Sequence, residues 1–91
     1  MPIQVSLPTI LRPLAKDLRR VDTEGANLAE AIDFLEASYP GLKDRLVEDG
    51  ALRRYVNIYI NDEDVRFLGG LESALTDGDR IDVLPAVAGG L

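Results

Sequence analysis

Residues 27–41, NLAEAIDFLEASYPG, limit what this chain can fold into more than any other stretch. Leu28, Ala31, Ile32, Leu35 and Tyr39 recur at the spacing that places them on one side of an α-helix. Asp33 and Glu36 lie off that stripe. Asn27 can cap the first turn, and Glu30 stands where a capping box puts its carboxylate. Pro40-Gly41 stops the helix, because proline cannot continue the ladder and glycine tolerates a left-handed turn. Such a stripe is core rather than a cofactor box, and it needs one broad apolar surface to cover.

The flanking residues supply that surface by alternation. Ile3, Val5 and Leu7 alternate with Gln4 and Ser6, the period of a half-buried strand, until Pro8 and Pro13 bracket TILR and interrupt it. Residues 17–21, DLRRV, form a weaker strand whose alternation breaks at Arg19-Arg20, read as a hairpin partner of the first. Residues 42–47 allow a short helical turn. The strongest strand is YVNIYI at 55–60, with β-branched residues on one face and Tyr55, Asn57 and Tyr59 on the other. NDED then turns the chain into VRF at 65–67, a short partner strand. TDGD makes a second turn around Gly78, free to take a positive φ. Arg80–Pro85 is the last strand, with Ile81 and Val83 on one face and Asp82 and Leu84 on the other. The order β-β-α-β-β-β describes a single α+β domain with one main helix over one sheet. Its core is expected to hold Ile3, Val5, Leu28, Ile32, Leu35, Val56, Ile58, Ile81 and Val83.

Composition narrows the chemistry. With 91 residues there is room for one domain. The chain has no cysteine and no histidine, so it lacks a thiolate nucleophile, a cysteine metal site and the usual proton shuttle. A net charge of -6 opposes a nucleic-acid partner, which needs a basic footprint. The opening PIQVSLP is too short and too polar for a signal peptide. No apolar run approaches the ~20 residues of a membrane span, so no membrane is expected and the cytoplasm is the expected address.

Several tempting motifs fail. An EF-hand started at Asp62 needs glycine and glutamate where Phe67 and Ser73 stand, so a solvated turn is the better account and no metal site is expected. Gly69-Gly70 has no strand–loop–helix with a lysine after it and reads as a bend. Arg53-Arg54 reads as a solvated basic pair. Tyr55 and Tyr59 mark either a contact surface or packing under a neighbouring loop. No catalytic residues are assigned, because no nucleophile stands beside a base.

The end of the chain, PAVAGGL, carries a sharper argument. Pro85 fixes the exit from the last strand. Ala86, Val87, Ala88, Gly89 and Gly90 then form a thin arm reaching at most ~17 Å. Glycine has no Cβ, so a Gly-Gly end can thread a narrow slot and present an unhindered carboxylate. That carboxylate is inert until activated, for instance as an acyl-adenylate, and this chain has no phosphate-binding parts. Another protein must activate it.

The element order and DGDRIDVLPAVAGG resemble the ubiquitin-like β-grasp sulfur carriers, a family that includes the molybdopterin-synthase small subunit and the thiazole-synthesis carrier. SLPTILRP, YVNIYINDEDVRFLGG and PAVAGG are most similar to the carrier of actinobacterial cysteine biosynthesis. The likeness spans nearly the whole chain and is weakest over residues 14–21 and 43–52.

The resemblance implies residues 1–85 as the β-grasp domain and residues 86–91 as a flexible tail. It implies a carrier that is not an enzyme and binds no cofactor itself. In such carriers the terminal glycine, here Gly90, is expected to be adenylated by an E1-like enzyme using ATP and magnesium, converted to a thiocarboxylate, and to give its sulfur to an acceptor. In the cysteine pathway the acceptor is an aminoacrylate on a pyridoxal-phosphate O-phosphoserine sulfhydrylase, and a metalloprotease then frees cysteine from the carrier. Leu91 departs from the pattern, since its peptide bond occupies the Gly90 carboxylate. Either a protease trims it, the favoured reading, or it is foreign to the natural chain. Other readings share this tail: a protein modifier joined through Gly90 to lysine, or a sulfur donor for molybdopterin, thiazole or a sulfur-containing natural product. A further alternative is an interaction module whose tail does nothing.

Overall fold

A computed structural model describes residues 2–85, leaving Met1 and residues 86–91 outside it. Strand β1 is Ile3–Ser6, β2 Arg20–Thr23, β5 Val56–Ile60, β6 Glu63–Asp64 and β7 Arg80–Pro85. They form one sheet in the order β2-β1-β7-β5-β6. β1 and β7 run parallel, and the other pairs are antiparallel. A separate small hairpin pairs β3 (Val47–Glu48) with β4 (Ala51–Leu52). This mixed sheet under one main helix is the β-grasp arrangement.

Helix α1, Leu28–Ser38, follows its sequence pattern closely. Leu28, Ala31, Ile32 and Leu35 are buried, and Tyr39, half-buried, packs at the C-terminal cap. The Glu30 amide donates to Asn27 Oδ1 at 2.9 Å. The reciprocal bond differs by one residue: Glu30 Oε1 accepts from Ala26 N at 2.8 Å. Gly41, at φ +97, redirects the chain into helix α2, Leu42–Leu46. Glu36 links the two helices, because its carboxylate accepts from Gly41 N and Lys43 N. These backbone donors hold its carboxyl below the usual carboxylate range.

Eight of the nine expected core residues are buried, and Val56 is half-buried against them. The core also takes Leu7, Leu11, Ala15, Val21, Leu42, Leu46, Ile60, Val65 and Leu75. Thr23 is buried with its hydroxyl satisfied, Oγ1 donating to Ala31 O at 2.8 Å. Among the described residues no buried side-chain nitrogen or oxygen lacks a hydrogen-bond partner.

Four local expectations are corrected. Residues 9–15 are not merely an interruption but a 3-10 helix, Thr9–Ala15, which turns Leu11 and Ala15 inward. It ends on left-handed Lys16 and Asp17, so the second strand starts at Arg20, three residues later than the alternation suggested. Residues 65–67 are a 3-10 turn, and the partner strand of β5 is Glu63–Asp64. The Asn61-Asp62 turn is only two residues long, so pairing begins at once with Ile60 opposite Glu63. Lastly, the β3–β4 hairpin was not anticipated, although Asp49-Gly50 at φ +53 and +78 is a typical two-residue hairpin turn.

Candidate functional site

The expected working part of the molecule, Ala86, Val87, Ala88, Gly89, Gly90 and Leu91, lies outside the described residues. The structure instead defines where that segment is launched. β7 places Ile81 and Val83 in the core, while Leu84 faces out with 48% exposure. Pairing with β5 runs to the last described residue, with Pro85 opposite Val56. The tail therefore starts level with the beginning of β5, at one end of the sheet.

Apolar side chains crowd this end without being covered. The 3-10 helix that buries Leu11 turns Ile10 outward to 70% exposure, and Tyr55, just before β5, is 54% exposed. With Pro8, Leu84 and Pro85 they line a groove of about 80 Å³. Exposed apolar side chains grouped in this way are available for contact with another molecule. Tyr55 is one of them. Tyr59 is half-buried elsewhere on the sheet's open face, lining a shallow hollow with Arg12, Asp62 and Asp82.

Arg53 and Arg54 do not act as one solvated pair. Arg53 Nε donates to Asp44 O at 2.6 Å, Nη1 lies 3.3 Å from Glu48, and the guanidinium sits 5.8 Å from the Tyr55 ring centroid. Arg54 is exposed. The sequence reading missed this anchoring because Asp44 and Glu48 approach only once the β3–β4 hairpin forms.

The opposite end of β7 is polar and closed. Asn61 Nδ2 donates to Asp79 Oδ1 at 3.0 Å, and Asn61 Oδ1 accepts from Arg80 N at 3.0 Å. Asp79 also accepts from Thr76 N at 2.9 Å. The Thr76 amide, then the Asn61 side chain, hold the Asp79 carboxyl below its ordinary range. Arg80 pairs with Asp62 at 2.7 Å and Asp82 at 3.2 Å. The first acidic residue of the NDED stretch thus braces the strand through Arg80. Asp64 braces its own turn by accepting from Arg66 N and the Arg66 guanidinium. Among the described residues no group of three or more His, Cys, Asp or Glu is placed to hold a metal ion. Gly69-Gly70 forms the expected bend, at φ +112 and +60. No helix of the described residues is long and apolar enough to cross a membrane.

Among the described residues, this end of the sheet presents exposed apolar side chains. The model of the ThiS family matches residues 5–90. Sulfur carrier protein CysO of Mycobacterium bovis is 52% identical, over 99% of this chain and 100% of its own length. Small archaeal modifier protein 3 of Haloferax volcanii is 45% identical over 78% of this chain and 76% of its own. The crystal structure of the Amycolatopsis orientalis BexX/CysO complex contains a chain that superposes with a TM-score of 0.93 at 50% identity, covering 97% of this chain and 99% of that one. The names of these relatives are those of carriers and modifiers, in keeping with a protein that is not itself an enzyme. With sequence and fold alike over nearly their whole length, the chain belongs to the ThiS family of ubiquitin-like β-grasp proteins.

Proposed function

We propose that this protein is a sulfur carrier acting through Gly90 once Leu91 has been removed. The observation that carries this reading is the full-length likeness to a sulfur carrier protein at 52% identity. The likeness to the family extends to residue 90. An E1-like partner uses ATP and magnesium to join the Gly90 carboxylate to AMP with loss of pyrophosphate. A sulfur donor then displaces AMP and leaves a thiocarboxylate.

The acceptor is proposed as the aminoacrylate held by a pyridoxal-phosphate O-phosphoserine sulfhydrylase, with a metalloprotease acting at the C-terminus. The carrier needs no bound cofactor for any of these steps, because ATP and magnesium are used by its partner. A cytoplasmic setting suits these partners. The relative crystallised as a BexX/CysO complex supports the idea that carriers of this shape work while bound to another protein. The exposed groove at the tail's root gives such a partner apolar surface to seat upon.

A protein modifier is the second reading, favoured by the likeness to small archaeal modifier protein 3. One experiment separates them. The intact chain and a chain ending at Gly90 are incubated with ATP, magnesium, the E1-like enzyme and a sulfide source, then weighed by mass spectrometry. Only the shortened chain should gain the mass of one oxygen-to-sulfur exchange, and it should lose that mass when acceptor enzyme and substrate are added. Equal modification of both chains, without proteolysis, refutes the trimming step. Absence of sulfur together with Gly90 joined to lysines in cell extracts establishes the modifier reading.

A further inference from the structure

The sheet has an incomplete edge that meets the groove at the tail's root at Val56. β6 pairs with β5 only at Tyr59 and Ile60. Val56, Asn57 and Ile58 pair with β7 on one side and, among the described residues, have no strand on the other, where the Val56 amide donates to Arg53 O at 3.2 Å and the Ile58 main chain faces no strand. An open strand edge is a template on which another chain can add.

Beside that edge lies a concavity of about 380 Å³, with half-buried Leu52 and Val56 on its apolar side. Its charged lining is Arg53, Arg54 and Arg66 against Asp64, with Glu48 beside it 3.3 Å from Arg53, which leaves Arg54 as the unbalanced charge. In a chain with 16 acidic and 10 basic residues, this is a local reversal of sign. Arg66 is held in place through Nη2, which donates to Asn57 Oδ1 at 2.6 Å and to Asp64 Oδ2 at 3.0 Å. Its side chain remains 61% exposed, with guanidinium donors to spare. Arg54 makes no hydrogen bond or ion pair among the described residues, so binding a carboxylate there breaks no existing contact. On the same turn as Arg66, Phe67 is 87% exposed and available as an aromatic anchor.

We infer that this edge docks an extended, acidic segment of a partner protein. The segment lies along β5 as an added strand, sets an apolar side chain against Leu52 and Val56, and places carboxylates on Arg54 and Arg66. Main-chain bonds supply affinity, and the arginines select for negative charge. The inference is independent of Gly90 chemistry and stands whichever reading of the tail holds.

The test uses the full chain, ¹⁵N-labelled, titrated with an acetylated peptide having an isoleucine–valine centre flanked by glutamates. A lysine-flanked peptide is the control. The glutamate peptide alone should shift the amides of Val56, Asn57 and Ile58, and added salt should weaken it. Arg54→Glu should weaken binding at least about threefold at low salt while leaving the melting temperature unchanged, since that side chain holds nothing else. Arg66→Glu should also weaken it, and its free spectrum reports whether the 65–67 turn survives. Equal binding of the lysine peptide overturns the inference. So do shifts confined to Ile10, Tyr55 and Leu84, or the lack of any shift at peptide concentrations on the order of 1 mM.

Discussion

At the Arg80 end of β7, Asn61, Asp62, Thr76, Asp79 and Arg80 bond to one another across turns far apart in sequence. At the Pro85 end, Ile10, Tyr55 and Leu84 stand exposed around the point where the tail begins. One end is finished within the molecule; the other is left for something outside it. The difference teaches how a domain this small can serve as a handle. Turn chemistry anchors the strand at one end, and exposed apolar side chains gather at the end from which the tail departs.

The sharpest way to break the comparison acts beyond the strand. Gly89→Val should leave thermal melting nearly unchanged, because it follows β7 in sequence and replaces none of the buried core residues, yet lower activation about a hundredfold or more. A β-branched residue widens the arm and restricts its backbone. ATP–pyrophosphate exchange with the E1-like partner measures this, and unchanged exchange refutes the narrow-slot argument.

Asn61→Ala attacks the anchored end and should destabilise the domain by about 2 kcal/mol. It removes two hydrogen bonds and leaves a residue with a Cβ but no local polar partner at φ +49. Urea unfolding reads this effect, and activation at temperatures where the variant is folded should be unchanged.

Leu84→Asn or Ile10→Ser should do the reverse. Both side chains are largely exposed, so stability should change by less than about 0.5 kcal/mol. Activation efficiency should fall by about tenfold if the groove seats the partner. Equal activation of these variants would move the docking surface elsewhere.

The smallest effect is on pH dependence. Asp79 and Glu36 titrate below the ordinary carboxylate range, each held first by a backbone N–H, of Thr76 and of Gly41. A folded-state pKa below the unfolded one gives stability that is complete above about pH 5 and drains away as pH falls through the unfolded and then the folded values. Urea midpoints measured from neutral pH down to about pH 3 should show that loss, and Asp79→Asn should flatten it. Leu84→Asn should not.

Legibility in the sequence followed the kind of contact each element makes. Helix α1, β5 and β7 each carry their own period, so a single stretch is enough to read them. β2 was displaced because Arg19-Arg20 hides its phase and one of its inward residues is Thr23, a polar residue satisfied by Ala31 O. Val65 suggested a strand because it is apolar and buried, but a single inward residue is equally compatible with a 3-10 turn. The Asp49-Gly50 turn was visible in principle; strands of two residues on either side gave no alternation to support it. The groove at the tail's root could not be read at all. It is assembled from residues 8–11, 55–56 and 83–85, which only the folded sheet brings together.

The strand that launches the tail is also the seam of the sheet. β7 is the last strand among the described residues and the middle one in space, with β1 parallel on one side and β5 antiparallel on the other. Without β7, the β1–β2 pair and the β5–β6 pair share no edge. Joining them closes a loop spanning nearly the whole domain, a contact whose entropic cost comes late and is met only when Arg80–Pro85 has emerged. A chain broken off before Arg80 is left with two open apolar halves, a substrate for cellular proteases rather than a rival for partners. Completion of the sheet and the launching of the tail are thereby tied to the same six residues, Arg80–Pro85.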